Sequence, residues 1–389
     1  MKHVDVIIIG GGMVGLALAA RLKQSSLSLC IIEAFPPALD FSSYAPRVSA
    51  LNLSSEKLLQ QIGIWQELQQ LRLTPYDKMT IWEKDSFGRL DFTTQGLGIN
   101  HLGHIAENHL IQGILWQHVM QQKNVDIITA LPHRLDINPH TAILQLDNHE
   151  MISAKLVVGA DGANSWVRQQ ANIPLVFHDY GHHALVCNVN TQEPHNHCAR
   201  QIFSSDSILA FLPLDKPNLC SIVWSLPPEQ AKQLHSCDEI SFNKALNVAF
   251  DGQLGLCQIT SERKIFPLTA RYARNFAHPR IALIGDAAHT IHPLAGLGVN
   301  LGFQDVESLA KTLLENEAAH LDIGEYRYLR HYERTRKVEA MKMLAAMQGL
   351  KSLFEGDHPL KKWVRGIGLA TTQQLNFVKD QLIKQALNL

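Results

Sequence analysis

No C-x-x-C pair occurs among the six cysteines, Cys30, Cys187, Cys198, Cys220, Cys237 and Cys257, so neither a zinc ribbon nor a dithiol motif is indicated. Buried free thiols in a reducing, cytoplasmic compartment are the expectation. Neither charge is in excess: 35 Lys and Arg stand against 36 Asp and Glu. That balance lacks the basic footprint of a nucleic-acid binder. No apolar run fits a membrane span, because the apolar start from Val4 to Leu22 is broken by Asp5, its glycines and Arg21. The same stretch has no cleavage-like segment, so no secretory signal is expected. Internal repeats and low-complexity segments are lacking too. Histidine alone is plentiful, at 20. The cluster His195-Asn196-His197-Cys198 has no metal-ligand spacing and reads as a polar loop, so no metal site is expected.

What remains is a chain of 389 residues that is 46% apolar and 18% charged. That is enough for sizeable cores in roughly two or three domains. One late stretch organises it: RIALIGDAAHTIHPLAGLGVNLGFQD, Arg280 to Asp305. Ile281 to Ile284 fits a buried strand. Gly285-Asp286 is a small turn bearing a carboxylate, and a helical pattern opens near Val299-Asn300. A strand that feeds a helix N-terminus presents free N–H groups to an anion. Asp286, itself an anion, suits a ribityl or ribose hydroxyl better than a phosphate. A polyol-bearing cofactor is the implication.

The chain starts with the complementary half. Val4 to Ile9 reads as a buried parallel strand, Gly10-Gly11-Gly12-Met13-Val14-Gly15 matches G-x-G-x-x-G, and Leu16 to Leu22 reads as a helix. A second strand, Leu27 to Ile32, ends in Glu33. This is the dinucleotide fingerprint in its full context. Gly10 makes the turn, Gly12 admits the pyrophosphate, Gly15 lets the helix pack on the strand, and Glu33 accepts from the ribose. The fingerprint alone does not separate FAD from NAD.

Arg47 follows in a loop, in reach of either the pyrophosphate or an incoming reductant, or simply on the surface. Ser54 to Leu71 reads as one helix with Ser54 as its N-cap. Met79 to Trp82 and Arg89 to Phe92 alternate like strands. Asn108 to Gln121 is amphipathic along Leu110, Ile111, Ile114, Leu115 and Val119. Asn108 is its expected cap and a candidate cofactor contact. Leu156 to Ala160 is a strand running into Asp161-Gly162, a second Asp/Gly turn at a helix start. From Tyr180 to Pro267 strands follow one another, with one helix over Asp238 to Phe250, so a separate antiparallel sheet is expected.

The resulting fold class is α/β. The expected domains are a discontinuous Rossmann-like cofactor domain (1–75, 100–178 and 268–340), an antiparallel substrate domain (76–99 and 179–267) and a C-terminal helical segment (341–389). The last 39 residues, 351–389, hold six basic and three acidic residues. With Trp363 beside Lys361, Lys362 and Arg365, that tail suits an anionic membrane surface; a helical cap on the core is the equal alternative.

The three turns in this order, Gly10 to Gly15, Asp161-Gly162 and Gly285-Asp286, resemble the FAD-dependent aromatic monooxygenases of the para-hydroxybenzoate hydroxylase fold over essentially the whole chain. GDAAHTIHPLAGLGVNLGFQD and ADGANSWVRQ narrow the resemblance to the ubiquinone-biosynthesis hydroxylases. ENHLIQGILWQ, DYGHHALV, ILAFLPL and LCSIVWSLPPEQA are similar to the 2-polyprenylphenol hydroxylase branch. The resemblance implies FAD as resident cofactor, NAD(P)H as transient reductant, O2, a polyprenylphenol substrate and a ubiquinone-biosynthesis assembly at the inner membrane face. It implies FAD contacts at Gly10, Gly12, Gly15, Glu33, Arg47, Asn108, Asp161, Gly162, Gly285, Asp286, Gly298 and Asn300. The last two would lie beside the isoalloxazine. Family members carry Gln where this chain has Leu297. No catalytic side chain is named; His289 and His292 lie near the right loop. Phe211, Pro213 and Phe266 are candidate liners of a polyprenyl channel, and oligomeric state stays open.

Overall fold

The computed structural model describes residues 1–290 and 298–354, except the side chains of His178, 346–348 and 350–354. The chain opens with β1 (Lys2–Ile9), α1 (Met13–Arg21) and β2 (Leu29–Ile32). Then come β3 (Val48–Leu51), α2 (Leu53–Ile62), α3 (Trp65–Leu71), β4 (Leu73–Tyr76), β5 (Lys78–Glu83), β6 (Arg89–Thr93) and β7 (Gly103–Glu107). Next are α4 (Asn108–Met120), β8 (Val125–Ile128), β9 (Pro132–Ile137), β10 (Ala142–Leu146), β11 (Met151–Gly159) and α5 (Trp166–Gln170). The strand-rich part holds β12 (Leu175–Thr191), β13 (Cys198–Phe203), β14 (Ile208–Pro213), β15 (Leu219–Leu226), α6 (Pro228–Ser236), α7 (Glu239–Ala249), β16 (Cys257–Ile259) and β17 (Lys264–Ala273). Short strands β18 (Ala277–His278), β19 (Ile281–Leu283) and β20 (His289–Thr290) lead to the helices α8 (Gly298–Ala318) and α9 (Tyr326–Phe354).

Three sheets result. The first runs β18-β19-β11-β1-β2-β8, with β10 and β9 attached at β11. β1 lies parallel between β2 and β11, so Val6 to Ile9 are buried on both faces and read as a continuous apolar run. Helices α1, α4 and α8 cover this sheet and share its core. The second sheet runs β20-β17-β12-β15-β14-β13-β5-β6. It buries Leu185, Cys187, Ile222, Trp224 and Phe211 against Phe242, Leu246 and Phe250 of the α6–α7 side. Phe211 stacks on Phe250 with ring centroids 3.6 Å apart. Full burial of rings of this size stabilises by roughly 1.5–3 kcal/mol each. The third sheet is β3-β7-β4.

Several local expectations need correction. The helix expected from Ser54 to Leu71 is two, α2 and α3, parted at Gly63, whose left-handed backbone (φ 93°) caps α2. Its N-cap is Asn52, which accepts from Ser55 N, and not Ser54. Asn108 is the first residue of α4 rather than its cap, a place held by Glu107. α6 was not foreseen, and the boundaries drawn at 179 and 268 fall inside the long strands β12 and β17. All six cysteines are free, and all but Cys237 are buried. His195 is buried rather than in a polar loop, its Nε2 within 3.0 Å of the carbonyls of Leu214 and Lys216. Among the described residues no helix is long and apolar enough to cross a membrane.

Candidate active site

The turn after β1 is held by sterics. Gly10 sits at φ 110°, and a Cβ there would lie 2.4 Å from the Ala160 carbonyl oxygen. A Cβ at Gly15 would lie 2.2 Å from the Gly10 carbonyl oxygen. Gly12 differs, because a Cβ there would meet nothing within 4 Å. The first and third glycines are therefore packing requirements, and the second leaves an open approach. Gly12 also caps α1 without a side-chain hydrogen bond, so N–H groups and the positive end of the helix face that opening. Glu33 borders it, its Oε2 accepting from Gly11 N at 2.6 Å and its Oε1 from Phe35 N at 2.8 Å. Gln112 of α4 donates to the Gly11 carbonyl at 2.9 Å.

The turn after β11 is built on Asp161. Its Oδ2 accepts from Val167 N at 3.0 Å, so it caps α5 together with Ser165, which accepts from Arg168 N at 3.0 Å. Asp161 Oδ1 is buried with no partner, and burial pushes the carboxyl pKa up against the lowering effect of those hydrogen bonds. A buried acceptor without a donor is the kind of vacancy a ligand hydroxyl or N–H satisfies. Buried Arg168 donates to the carbonyls of Ala287 and Ala163, each at 2.9 Å, and so ties this turn to the next one. Arg271 adds a bond to the Ala163 carbonyl at 3.0 Å.

The turn after β19 rests on a charge network. Gly285 (φ 59°) lies against Val14 of α1, and a Cβ on Gly302 of α8 would come within 2.8 Å of the same valine. Asp305, fully buried on α8, accepts from Gly285 N at 2.9 Å and from His289 Nε2 at 2.6 Å through Oδ2. Its Oδ1 accepts from Arg336 Nε of α9 at 2.6 Å. Burial raises the Asp305 pKa, but His289 and Arg336 outweigh it and hold the carboxyl below its ordinary 3.8. Asp286 is exposed to solvent yet closely surrounded by protein. That enclosure raises its pKa, while His289, Arg47 and Arg271 oppose the rise. A carboxylate so placed accepts a hydroxyl readily.

Asp305 and Arg336 were missed as site residues, although both carry a signal. Asp305 sits on the buried stripe of α8 with Leu301, Val306 and Leu309, and Arg336 sits on that of α9 with Tyr332 and Ala340. A charge on an apolar stripe demands a buried partner.

The remaining candidates are distributed as follows. Arg47 is exposed, its guanidinium 5.2 Å from the centroid of the Phe266 ring. Asn108 accepts from Ser49 Oγ at 2.7 Å. The Asn300 side chain accepts from Asn52 N and Ser55 Oγ and donates to the Ala50 carbonyl at 2.8 Å, pinning α8 to β3 and α2. At Gly298, the first residue of α8, a Cβ would meet nothing within 4 Å. His289 is a buried partner of Asp305. Phe211 faces α7 and lines no channel, whereas Phe266 lies on the opposite face of the sheet with Ala184, Val186, Leu268 and Ala270. Leu297, His292 and the tail residues Lys361, Lys362, Trp363 and Arg365 lie outside the described residues.

Residues 3–347 match a family described as FAD binding domain. Over 392 aligned residues the chain is 34% identical to the 3-demethoxyubiquinol 3-hydroxylase of Escherichia coli K12, covering 99% of this chain and 98% of that one. The chain belongs to the FAD-dependent ubiquinone-biosynthesis hydroxylases. A further relative is the ubiquinone hydroxylase UbiL of Rhodospirillum rubrum, 31% identical over 99% of this chain and 90% of that one. Among solved structures, p-nitrophenol 4-monooxygenase PnpA from Pseudomonas putida superposes with a TM-score of 0.81 at 17% identity, covering 100% of this chain and 99% of that one. PqsL from Pseudomonas aeruginosa gives 0.80 at 19%, over 95% and 100%. Both share the fold. The residues of this hydroxylase suit FAD: an open Gly12, an α1 N-terminus without a side-chain cap and a bordering Glu33 share one turn, and Asp161, with its orphaned oxygen, packs beside Gly10.

Proposed function

We propose that this chain hydroxylates the ring of a polyprenylated phenol on the way to ubiquinone, with 2-polyprenylphenol as substrate, NAD(P)H as reductant and O2 as oxidant. The observation that carries this reading is the junction between the cofactor turns and the second sheet. The Ala45–Arg47 loop lies across the sheet's inner face: Asn188 donates to the Ala45 carbonyl at 3.4 Å, Ser221 to the Pro46 carbonyl at 3.3 Å, and Arg47 covers Phe266. That face offers Ala184, Val186, Val223, Leu268 and Ala270, small and apolar enough to line a ring and a hydrocarbon tail.

Gly12 and the α1 terminus would hold the pyrophosphate, Glu33 a ribose hydroxyl and Asp286 the ribityl chain. Asp161 Oδ1 would accept from the cofactor or the reductant. Arg47, exposed beside Phe266, would attract the phosphates of the reductant. Bound FAD supplies hydride acceptance and O2 activation. The side chains then have to orient the ring and keep water out. A polyprenyl substrate is too apolar to arrive through water, so the proposal includes contact with a membrane or with a ubiquinone-biosynthesis assembly.

A second reading, favoured by the Escherichia coli relative, takes 3-demethoxyubiquinol as the substrate. Mass spectrometry of the lipids that accumulate when this protein is absent separates the two. Accumulated 2-polyprenylphenol supports the first and accumulated demethoxyubiquinone the second. With purified protein, O2 uptake should match hydroxylated product. NAD(P)H oxidation without such product would make the protein a flavin reductase and overturn both.

A further inference from the structure

Three side chains outside the cofactor turns converge at one point. Glu56 is in the first turn of α2, His101 precedes β7, and His104 lies on β7. Glu56 Oε2 is 2.7 Å from His101 Nε2 and 3.4 Å from His104 Nδ1. One ligand atom from each falls within 4.8 Å of the others. His104 is only 6% exposed, and its Nδ1 is buried without a hydrogen-bond partner. A structure that hides an imidazole nitrogen and leaves it unpaired, aimed at a carboxylate, has an unfilled donor position.

We propose that Glu56, His101 and His104 bind a divalent transition-metal ion, with Zn2+ the best match. Two imidazoles and one carboxylate form a donor set that Zn2+ accepts at about 2.0–2.2 Å, with a water in the fourth place. Tetrahedral bonds of that length separate ligand atoms by about 3.3 Å, inside the range spanned here. Trp65 closes the inner side edge-on, its ring centroid 4.9 Å from that of His104. His101, with its side chain 24% exposed, leaves the outer side open for entry. The ion would clamp α2 to the segment before β7. Since Asn52 and Ser55 at the start of α2 also hold Asn300, the clamp would stiffen the base of α8.

The test uses the full-length, FAD-loaded protein after chelator treatment. Zn2+ is titrated in competition with a chromophoric chelator, and Co2+ in parallel for its tetrahedral absorption bands. One equivalent should bind. His101→Gln and Glu56→Gln should each weaken that binding by about 100-fold or more, on the scale of tenfold to a hundredfold losses at supporting residues. His118→Gln, a histidine paired with Glu67 elsewhere, should leave binding unchanged. Zn2+ should raise the melting temperature of the wild type and not that of the two ligand variants. Wild type without Zn2+ uptake, or uptake equal in wild type and His101→Gln, would reduce the three side chains to a hydrogen-bonded cluster and overturn the proposal.

Discussion

The turn from Gly10 to Gly15 and the turn at Gly285-Asp286 meet at Val14 but are held in opposite ways. The first is fixed by the absence of side chains: any Cβ at Gly10 or Gly15 collides with backbone. The second is fixed by a buried carboxylate, Asp305, that gathers Gly285 N, His289 and Arg336. A steric turn comes from neighbouring residues and is visible as a motif. An electrostatic turn draws its partners from two helices and is invisible as one.

Removing the charge should have the largest effect. Asp305→Asn leaves Arg336 buried and uncompensated, which costs about 3–5 kcal/mol. Urea unfolding of the FAD-loaded protein measures it. The acid limb sharpens the point. The Asp305 pKa is lowered on folding, so its stabilisation is complete above 3.8 and is lost as pH falls below 3.8 towards the folded value. Wild type should therefore lose stability faster than Asp305→Asn below pH 3.8. Equal slopes would place the acid sensitivity elsewhere.

The steric turn should respond next. Gly15→Ala puts a methyl 2.2 Å from the Gly10 carbonyl oxygen, an overpacking cost of about 1–3 kcal/mol. Thermal melting and the flavin-to-protein ratio should fall together. The smallest stability change belongs to Gly12→Ala, whose new Cβ meets open space; it should stay under about 1 kcal/mol. Its FAD affinity should nevertheless drop, read by flavin fluorescence during reconstitution of the apoprotein. Unchanged affinity would remove the pyrophosphate from this turn.

The same contrast explains what could be read in the sequence. The β1-α1-β2 unit, the β11 and β19 strands and the antiparallel run were legible because apolar runs and glycines are local signals. The β3-β7-β4 sheet was not, since its strands are short and separated by more than fifty residues of chain between β3 and β7. α6 has little apolar face, burying Ala231 alone, so its periodicity is weak. The resemblance puts Asn300 beside the cofactor; only the fold shows that its side chain also bonds Ala50, Asn52 and Ser55. The pair His101-x-x-His104 is local, but Glu56 is remote in sequence and only the fold brings α2 to it.

The pairing of β19 with β11 sets an order on synthesis. β10 covers Met151 to Ala154 on one edge of β11, but Val157 to Gly159 on that edge wait for Ile281 to Leu283. A ribosome adding roughly 5–20 residues per second needs on the order of ten seconds to deliver them. For that interval the growing chain shows an open, apolar parallel edge, the kind of surface on which mispairing starts. Nascent chains that stop within the second sheet should therefore depend on chaperones and be easily proteolysed. If the turn after β19 holds the flavin as proposed, flavin capture belongs to the last stage of maturation.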